Sequence, residues 1–536
     1  MISKLFEKLI KLRISDELKK VSKWQAGSRC NRSSCDQTFL IRSAINHSLY
    51  LNKPLFLTLY DFRQCFDKIW LEDAIISLWK LGVQNDMLKL IYLLNAMSHG
   101  TVKTACGLSD RFDLGPNVKQ GTVLGPVLAS SSIAEACEEQ SEGGAMVGTF
   151  PIRALAYVDD MTGLNSSIRD VHNSHDKVVF FSNKKRTPLN EDKCVVLPVN
   201  VDKKHASPVL YVNCKEMDIV DTGKVLGDIF NSKGNNQDLM KDRIQRGLRC
   251  LILSFSLASE ITYGHYIIQV LITLYKAMFV TVVTFNSGAW NNLTKKDVND
   301  LRTSQMKFLK RILHAPKSAS NCFILLELGI LPIESQIQLN QLNFLHHVLN
   351  LDHDDPVYCA YNQQKQFSGE KNWYNEVLLL REKLSLSTND SEISKKSADS
   401  WRMLTKQKVI SLALENLNKE NSIKSKTNQF PPRDVLSLQE YFLFLSPSDA
   451  RMYFAMRCGT LDIKVMRPYQ YGDNTLCRVC NESDESLNHI INFCSEIAIL
   501  PFISNIFSLD TENVKMVVQR LNLWFSKIEN REEISG

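Results

Sequence analysis

The stretch Pro151–Asn165, PIRALAYVDDMTGLN, constrains the fold more than any other part of the sequence. Mostly apolar residues lead to Tyr157 and resume after Asp159 and Asp160, which predicts two strands joined by a tight turn. Ionised side chains are costly to hold against an apolar core unless a partner or a metal ion compensates them. The pattern therefore predicts a β-hairpin that presents two carboxylates at its turn.

A third carboxylate follows another predicted strand. Asp61 comes directly after the run LFLTLY at 55–60, which is apolar enough for a buried strand. Three carboxylates brought together form an oxygen-rich site that suits Mg²⁺. Two such ions ~3.5–4 Å apart are the usual device for in-line phosphoryl displacement. An Asp-Asp pair alone is more often a pair of solvated turn residues, so this interpretation depends on the surrounding sequence.

Composition places few limits on function. The chain has 536 residues, enough for two to four domains, and 44% of them are hydrophobic. Its 64 Lys and Arg residues against 58 Asp and Glu residues give a formal charge of +6, which permits a polyanionic partner without requiring one. The 14 dispersed cysteines and the lack of a signal-peptide pattern predict an intracellular, reducing compartment with few or no disulfides.

The pattern of hydrophobic and polar residues changes near residue 235, from mixed strand and helix patterns to long helical patterns with basic faces. This predicts an α+β protein with a domain boundary at that point. The apolar run Ile267–Phe285 is interrupted by Gln269 and Lys276, so we expect a buried helix there and no membrane partner. The polar stretch Ser385–Ser400 predicts a loop or linker.

Seven ordered segments together span most of residues 20–335. They are WQAGSRCNRSSCDQ (24–37), TLYDFRQCFD (58–67), NVKQGTVLGP (117–126), AYVDD (156–160), LNEDKCVVL (189–197), GKVLGDIF (223–230) and LELGILPIE (326–334). These segments resemble motifs of reverse transcriptases, and in particular of the non-LTR (LINE-type) retrotransposon enzymes. The departures are Ser28 in the place of a Phe, Ser34 in the place of a Thr, and Val225 in the place of a Tyr.

The resemblance implies a right-hand polymerase whose palm carries an antiparallel sheet. The domains it implies are partial fingers at 1–54, the palm at 55–235, a helical thumb and connection at 236–350, a helical linker region at 351–470, a zinc knuckle at 471–500 and a tail at 501–536. In that family more fingers sequence, with an Arg-Pro-Ile element, precedes the part that this chain resembles. We therefore expect an N-terminally truncated copy of a longer element protein.

The resemblance also implies roles for individual residues. Asp61, Asp159 and Asp160 would hold two Mg²⁺ ions that polarise a primer 3′-hydroxyl and a deoxynucleoside triphosphate. Phe66 would crowd a ribose 2′-hydroxyl, although plain core packing explains an aromatic residue there equally well. Residues implied to contact nucleotide or template are Gln120, Gly121, Lys193, Arg29 and Arg32; a helix-start turn explains the Gln-Gly pair as well, and an exposed structural lysine explains Lys193 as well.

A cysteine cluster lies near the C-terminus. Cys477, Cys480, His489 and Cys494 follow a Cys-x₂-Cys-x₈-His-x₄-Cys pattern, while the other cysteines are dispersed. Zinc takes four such sulfur and nitrogen ligands in a tetrahedron, and a site with no open position is structural. Similar knuckles follow the polymerase in LINE-type elements and are taken to bind nucleic acid. The alternative is four unbound residues in a helical tail.

Taken together, these patterns predict an RNA-directed DNA polymerase that extends a DNA primer or target 3′ end on an RNA template with deoxynucleotides. The rival hypothesis is a catalytically silent remnant that binds nucleic acid through basic helices and the zinc knuckle. A cellular relative such as a maturase is a third hypothesis, which the 326–334 segment and the knuckle disfavour.

Overall fold

A computed structural model describes residues 2–97, 99–113, 115, 117–140, 143–201, 208–261, 264, 266–497 and 501–535. The chain divides into two compact units. The first unit comprises Met1–Asp242, Asn286–Thr294 and Asn340–Arg402, and the second comprises Arg243–Phe285, Lys295–Leu339 and Met403–Gly536.

The centre of the first unit is a five-stranded sheet. Its strands are β1 (Leu55–Tyr60), β2 (Ala154–Tyr157), β3 (Asp160–Asn165), β4 (Val195–Val199) and β5 (Asp218–Ile219). They lie in the order β5-β4-β1-β3-β2, and all neighbours are antiparallel except the parallel pair β4 and β5. All six residues of β1 are buried, which accounts for the continuous apolar run. The predicted antiparallel sheet is therefore present, with one short parallel strand at its edge.

Helices cover this sheet. The helices Ser34–Leu51 and Ile168–Lys184 contact β1, and Gly125–Glu138 contacts β2. Gly125–Glu138 buries eleven of its residues, so its short side chains lie deep in the unit. The predicted hairpin thus has a helix-packed base, and its turn is the part of it that reaches solvent.

The first unit also contains five short two-stranded ribbons. Their strand pairs are His99–Gly100 with Phe112–Asp113, Lys103–Thr104 with Gly107–Leu108, Ala145–Val147 with Phe150–Ile152, Tyr211–Val212 with Lys215–Glu216, and Thr222–Val225 with Asp228–Asn231. Beyond Asn231, the described residues form helices and a single isolated bridge between Leu476 and Asp484. The change of sequence pattern near residue 235 therefore coincides with the change from mixed strands and helices to helices.

The helices before Asn231 are Ile2–Arg13, Ser15–Leu18, Ser34–Leu51, Cys65–Lys68, Leu71–Lys80, Asn85–Ala96, Gly125–Glu138 and Ile168–Lys184. The α-helices after it are Gln237–Ile261, Ile267–Leu274, Thr281–Val283, Lys295–Ile312, Asn321–Leu328, Ile333–Leu349, Pro356–Gln364, Trp373–Lys383, Asp390–Ser394, Ala398–Ser422, Tyr441–Phe444, Pro447–Arg457, Pro468–Tyr471 and Thr511–Ser535. Two π-helical segments, Tyr275–Val280 and His489–Phe493, and two 3-10 turns, Ser287–Ala289 and Lys464–Met466, complete the described set.

Two expectations about the helical part can be compared with the structure. The run that begins at Ile267 is helical with one buried face, which includes Leu271, Tyr275 and Phe279. No single helix among the described residues is long and apolar enough to cross a membrane. The bent helix pair Asn321–Leu328 and Ile333–Leu349 is together long and apolar enough, by length and composition alone.

The predicted loop at Ser385–Ser400 is wrong, because the stretch contains the helix Asp390–Ser394 and the start of another. Asp390 explains the order of this stretch. Its carboxylate accepts hydrogen bonds from the buried Arg381, from Lys365 and from the Tyr361 hydroxyl. Such charge-assisted contacts fix a polar stretch that composition alone marks as a linker.

The second unit is built around a buried carboxylate from the 326–334 segment. Glu327 is fully buried and accepts hydrogen bonds from Arg433 at 2.5 Å, from Arg457 at 3.0 and 3.2 Å, and from the Tyr441 hydroxyl at 2.7 Å. Burial alone would lower the pKa of the Arg457 guanidinium, but the Glu327 carboxylate raises it. The segment that resembles a family motif therefore supplies the carboxylate of a buried ion pair in this unit.

Candidate active site

Strand register brings the three predicted carboxylates together. Tyr60, the last residue of β1, pairs with Met161 of β3, so the next residues outward, Asp61 and Asp160, are neighbours across the strands. Asp160 also pairs with Tyr157 in the β2–β3 hairpin, which leaves two residues for the turn. The second of these is Asp159. The three aspartates thus converge at one end of the sheet, as the sequence predicts.

The electrostatics of this cluster are unfavourable in the absence of cations. Burial raises the pKa of Asp159, and the negative charge of Asp61 adds to the shift. Burial also raises the pKa of Asp160, followed by the charges of Asp159 and Asp61. Carboxylates whose charged forms are disfavoured by one another are suited to divalent cations, which remove the repulsion and take oxygen ligands. The donor set therefore fits Mg²⁺.

Asp61 is held by the 189–197 segment. The Asn190 side chain donates to Asp61 Oδ2 at 3.1 Å, and the Asn190 backbone N–H donates to the Asp61 carbonyl at 2.8 Å. Lys193 Nζ lies 3.5 Å from Asp61 Oδ2, and 65% of its side chain is exposed. Lys193 can therefore reach both the carboxylate and an anion in front of it. Asn190 is a site residue that the sequence reasoning passed over, although its place three residues before Lys193 in a recognised motif was a signal.

The other predicted nucleotide contacts differ in exposure. Phe66 is half-buried and packs against the hydrophobic core of the first unit, so core packing and steric exclusion both stay compatible with its position. Gln120 and Gly121 are exposed and precede the helix Gly125–Glu138. Gly121 has φ +74°, and a Cβ there would meet no atom within 4 Å. Their contact with nucleotide or template stays a prediction.

The two predicted arginines have different surroundings. The side chain of Arg32 is 8% exposed and forms a two-pronged ion pair with Asp355, in which Nη1 lies 3.1 Å from Oδ1. Arg29 is half-buried, and its Nη1 donates to the Ser22 carbonyl at 3.3 Å. It also lines a cavity of about 330 Å³ whose walls include Lys8, Lys11 and Lys19. Of the two guanidiniums, Arg29 has the surroundings that suit an anion, and template contact by either stays a prediction.

The four C-terminal candidates converge as well. One ligand atom from each of Cys477, Cys480, His489 and Cys494 lies within 4.8 Å of the others, and Cys480 Sγ is 3.2 Å from His489 Nε2. His489–Phe493 forms a π-helical turn in which the Cys494 N–H donates to the His489 carbonyl at 2.7 Å. The hydrogen bond of a π-helical turn joins residues five apart, here His489 and Cys494, which explains how a His-x₄-Cys spacing brings both side chains together. The donor set fits zinc.

Backbone groups and a buried salt bridge stabilise the cluster. Val479 N–H and Glu482 N–H point at the sulfur atoms of Cys477 and Cys480 at 3.4 and 3.5 Å. Glu485 is fully buried and holds Arg478 through both its backbone N–H and its guanidinium. Burial lowers the pKa of His489, so the imidazole is neutral and able to donate a lone pair at neutral pH. These features are typical of a closed structural site.

Comparison with known proteins bears on the first unit. Residues 1–221 match the family model described as "Reverse transcriptase (RNA-dependent DNA polymerase)". None of the curated proteins matches the chain. The N-terminal part of this protein is therefore similar to reverse transcriptase domains, as its motifs predict.

Solved telomerase structures from Candida species are also similar to this chain. The telomerase of Candida albicans in complex with a TWJ fragment of telomeric RNA has 13% identity and a TM-score of 0.30, over 62% of this chain and 54% of that chain. The apo telomerase of Candida tropicalis has 12% identity and a TM-score of 0.35, over 74% of this chain and 60% of that chain. The match thus spans between about half and three fifths of those proteins.

Proposed function

We propose that the reverse transcriptase domain of this chain is active as an RNA-directed DNA polymerase that extends a DNA 3′ end on an RNA template. The observation that supports the proposal is the convergence of Asp61, Asp159 and Asp160 at one end of the sheet. The three carboxylates would hold two Mg²⁺ ions, which when bound activate a primer 3′-hydroxyl and neutralise the charge of a triphosphate.

The residues around the carboxylates have definite tasks in this proposal. Asn190 fixes the side chain of Asp61 through the 3.1 Å hydrogen bond. Lys193 places an exposed ammonium beside that carboxylate, where it can stabilise or protonate a leaving pyrophosphate. Gly121 leaves open space at the turn before the helix Gly125–Glu138, which allows a nucleotide to approach the backbone closely.

The proposal is tested by following deoxynucleotide incorporation on a primed RNA template with Mg²⁺. The wild-type chain is compared with an Asp159→Asn, Asp160→Asn double variant and with Asp110→Asn, which changes an exposed carboxylate in the connection between the strands Gly107–Leu108 and Phe112–Asp113. We expect incorporation by wild type and Asp110→Asn and none by the double variant. Equal, background-level incorporation by all three, with template binding retained, would instead support the catalytically silent remnant.

A separate experiment decides the role of Phe66. If its ring excludes a ribose 2′-hydroxyl, Phe66→Ala will raise incorporation of ribonucleotides relative to deoxynucleotides while the melting temperature changes little. If it is a core residue, the same substitution will lower the melting temperature by the several degrees expected for a half-buried aromatic side chain and leave sugar discrimination unchanged.

The C-terminal cluster supports a structural zinc ion as part of the proposal. We expect about one zinc per chain, held by Cys477, Cys480, His489 and Cys494. Metal analysis of Cys477→Ser, Cys480→Ser should show the zinc lost, whereas Cys214→Ser, which removes an exposed thiol, should keep it. Unchanged zinc content in the double variant would refute the assignment. A role of this knuckle in nucleic-acid binding, as in LINE-type elements, predicts weaker RNA binding by the zinc-free variant.

The subclass and the setting are also proposals. Seven segments in LINE-type order, with the cysteine cluster behind them, support an origin in a non-LTR retrotransposon. All fourteen cysteines are free, which supports a reducing intracellular compartment, cytoplasm or nucleus. A preference for RNA over DNA templates in the same incorporation assay would support the first, and labelling of exposed thiols in lysates under non-reducing conditions would test the second.

A further inference from the structure

The turn of the β2–β3 hairpin is strained at Val158. This residue has φ +61°, which places it in the left-handed region. A β-branched side chain is disfavoured there, at a cost of about 1–2 kcal/mol, and such conformations persist only where the surroundings fix them. Glycine is the usual residue at the equivalent place in tight hairpin turns. Some contact must therefore hold the Val158 backbone in place.

A single buried carboxamide makes that contact. Gln25 Oε1 accepts a hydrogen bond from the Val158 N–H at 2.8 Å, and Gln25 Nε2 donates to the Val158 carbonyl at 3.0 Å. Oε1 also accepts from the Gly27 N–H at 2.8 Å, and Gln25 is completely buried. Because one amide binds both backbone groups of Val158, it fixes both backbone dihedrals of the residue that precedes Asp159.

The backbone around Gln25 is docked on the same hairpin. The Ala156 N–H donates to the Trp24 carbonyl at 3.0 Å, and the Ala26 N–H donates to the Ala156 carbonyl at 2.9 Å, so this segment extends the sheet beyond β2. A Cβ added to Gly27 would lie 2.3 Å from the Val158 nitrogen and 2.7 Å from its Cγ2. Only glycine allows this approach, which gives the 24–37 segment a second and independent reason to contact the turn.

We propose that Gln25 is a positioning residue for catalysis, which fixes the Val158 peptide and so aims the Asp159 carboxylate at the metal site beside Asp61 and Asp160. The proposal rests on the polymerase function proposed above. Without the carboxamide the strained turn can relax to another turn type, which re-aims Asp159 while the strands on either side remain paired. Gln25 then affects metal binding and turnover and leaves the binding of primer and template unchanged.

The test compares wild type with Gln25→Ala and with Gln37→Ala. Gln37 is a matched control: it is a buried amide of the same segment that donates to the Trp24 and Ala156 carbonyls at 3.1 and 3.3 Å without touching Val158. Supporting contacts around metal ligands typically change metal affinity or activity by about 10–100-fold. We expect Gln25→Ala to lower kcat by that factor and to raise the Mg²⁺ requirement, with primer–template Kd within twofold. Gln37→Ala should affect stability without changing the Mg²⁺ requirement.

A second variant separates positioning from general destabilisation. Val158→Gly removes the strain that the carboxamide holds, so in the Gln25→Ala background it should recover about tenfold in kcat. A merely structural loss would not be repaired by placing a more flexible residue in the turn. The absence of recovery in a folded double variant, or a Gln25→Ala chain with wild-type Mg²⁺ requirement and kcat, would overturn the proposal.

Direct binding of Mn²⁺, followed by electron paramagnetic resonance, separates this proposal from the polymerase proposal. If wild type incorporates no nucleotide but binds Mn²⁺ about tenfold more tightly than Gln25→Ala, the polymerase function fails and the positioning role stands. If wild type polymerises and the two chains bind Mn²⁺ equally, the positioning role fails alone. Wild type that neither polymerises nor binds Mn²⁺ overturns both.

Discussion

Replacement of Glu327 by alanine should destabilise the second unit strongly. Its carboxylate is fully buried and accepts four hydrogen bonds, two of them from the buried Arg457. Removing one partner of a buried ion pair leaves the other charge without compensation and costs about 3–5 kcal/mol. For a domain of 150–250 residues each kcal/mol lowers the melting temperature by about 2–4 °C, so we expect a decrease of about 6–20 °C.

The same segment offers a matched control. Glu334 pairs with Arg302 at the surface, where the two side chains are 21% and 54% exposed. A surface pair contributes at most about 1 kcal/mol, so Glu334→Ala should lower the melting temperature by less than about 4 °C. Calorimetry or thermal circular dichroism of both variants measures the difference. If Glu327→Ala does not fold, Glu327→Gln, which keeps the shape and removes the charge, takes its place. Equal melting temperatures for the Glu327 and Glu334 variants would refute the reasoning.

Three further predictions concern separate parts of the chain. Because burial, followed by the charges of Asp159 and Asp61, raises the pKa of Asp160 in the folded chain, the folded state loses stability as the pH rises from about 4 through that pKa. Asp160→Asn should therefore stabilise the metal-free protein by about 1 kcal/mol at pH 7, for a solvent-screened charge, which raises its melting temperature, and should change its stability little near pH 4. Gly329→Ala should destabilise far more than Gly459→Ala in thermal unfolding, since both have φ near +60° but only at Gly329 would the Cβ meet backbone atoms at 2.3–2.4 Å, whereas at Gly459 it meets a lysine side chain at 3.1 Å. Removal of metal by a chelator should lower the melting temperature at neutral pH, and added Zn²⁺ but not Mg²⁺ should restore it, with zinc affinity falling at acidic pH as the ligands take up protons.

The carboxylate cluster could be predicted from sequence because its determinants are local. Each of Asp61, Asp159 and Asp160 lies at the end of an apolar strand pattern, and strand ends of one sheet meet at a shared edge. The Cys/His cluster was predictable for the same reason, since its four residues fall within eighteen residues and the other cysteines are dispersed. Patterns of this kind need no knowledge of the tertiary fold.

Contacts between distant parts of the chain could not be read in that way. Arg32 pairs with Asp355, 323 residues later, and nothing in either neighbourhood indicates the partner. Asp390 likewise orders a polar stretch through Arg381, whose burial the composition does not suggest. The resemblance of the 24–37 segment predicts that it lies near a polymerase site, but only the fold shows that Gln25 contacts the turn 133 residues away.

The hairpin holds two unfavourable features at adjacent positions, and they are compensated by different means. Strain at Val158 is local, and the Gln25 carboxamide offsets it by binding the N–H and carbonyl of that residue in the metal-free site. Repulsion among the aspartates depends on occupancy, and only cations can remove it. A turn fixed in advance lets cation binding act on charge alone, because no backbone rearrangement has to accompany it. In Gln25→Ala, rearrangement of the turn should therefore accompany metal binding, so that metal binding becomes slower and more temperature-dependent than in wild type. Asp160→Asn should weaken metal binding without changing its temperature dependence.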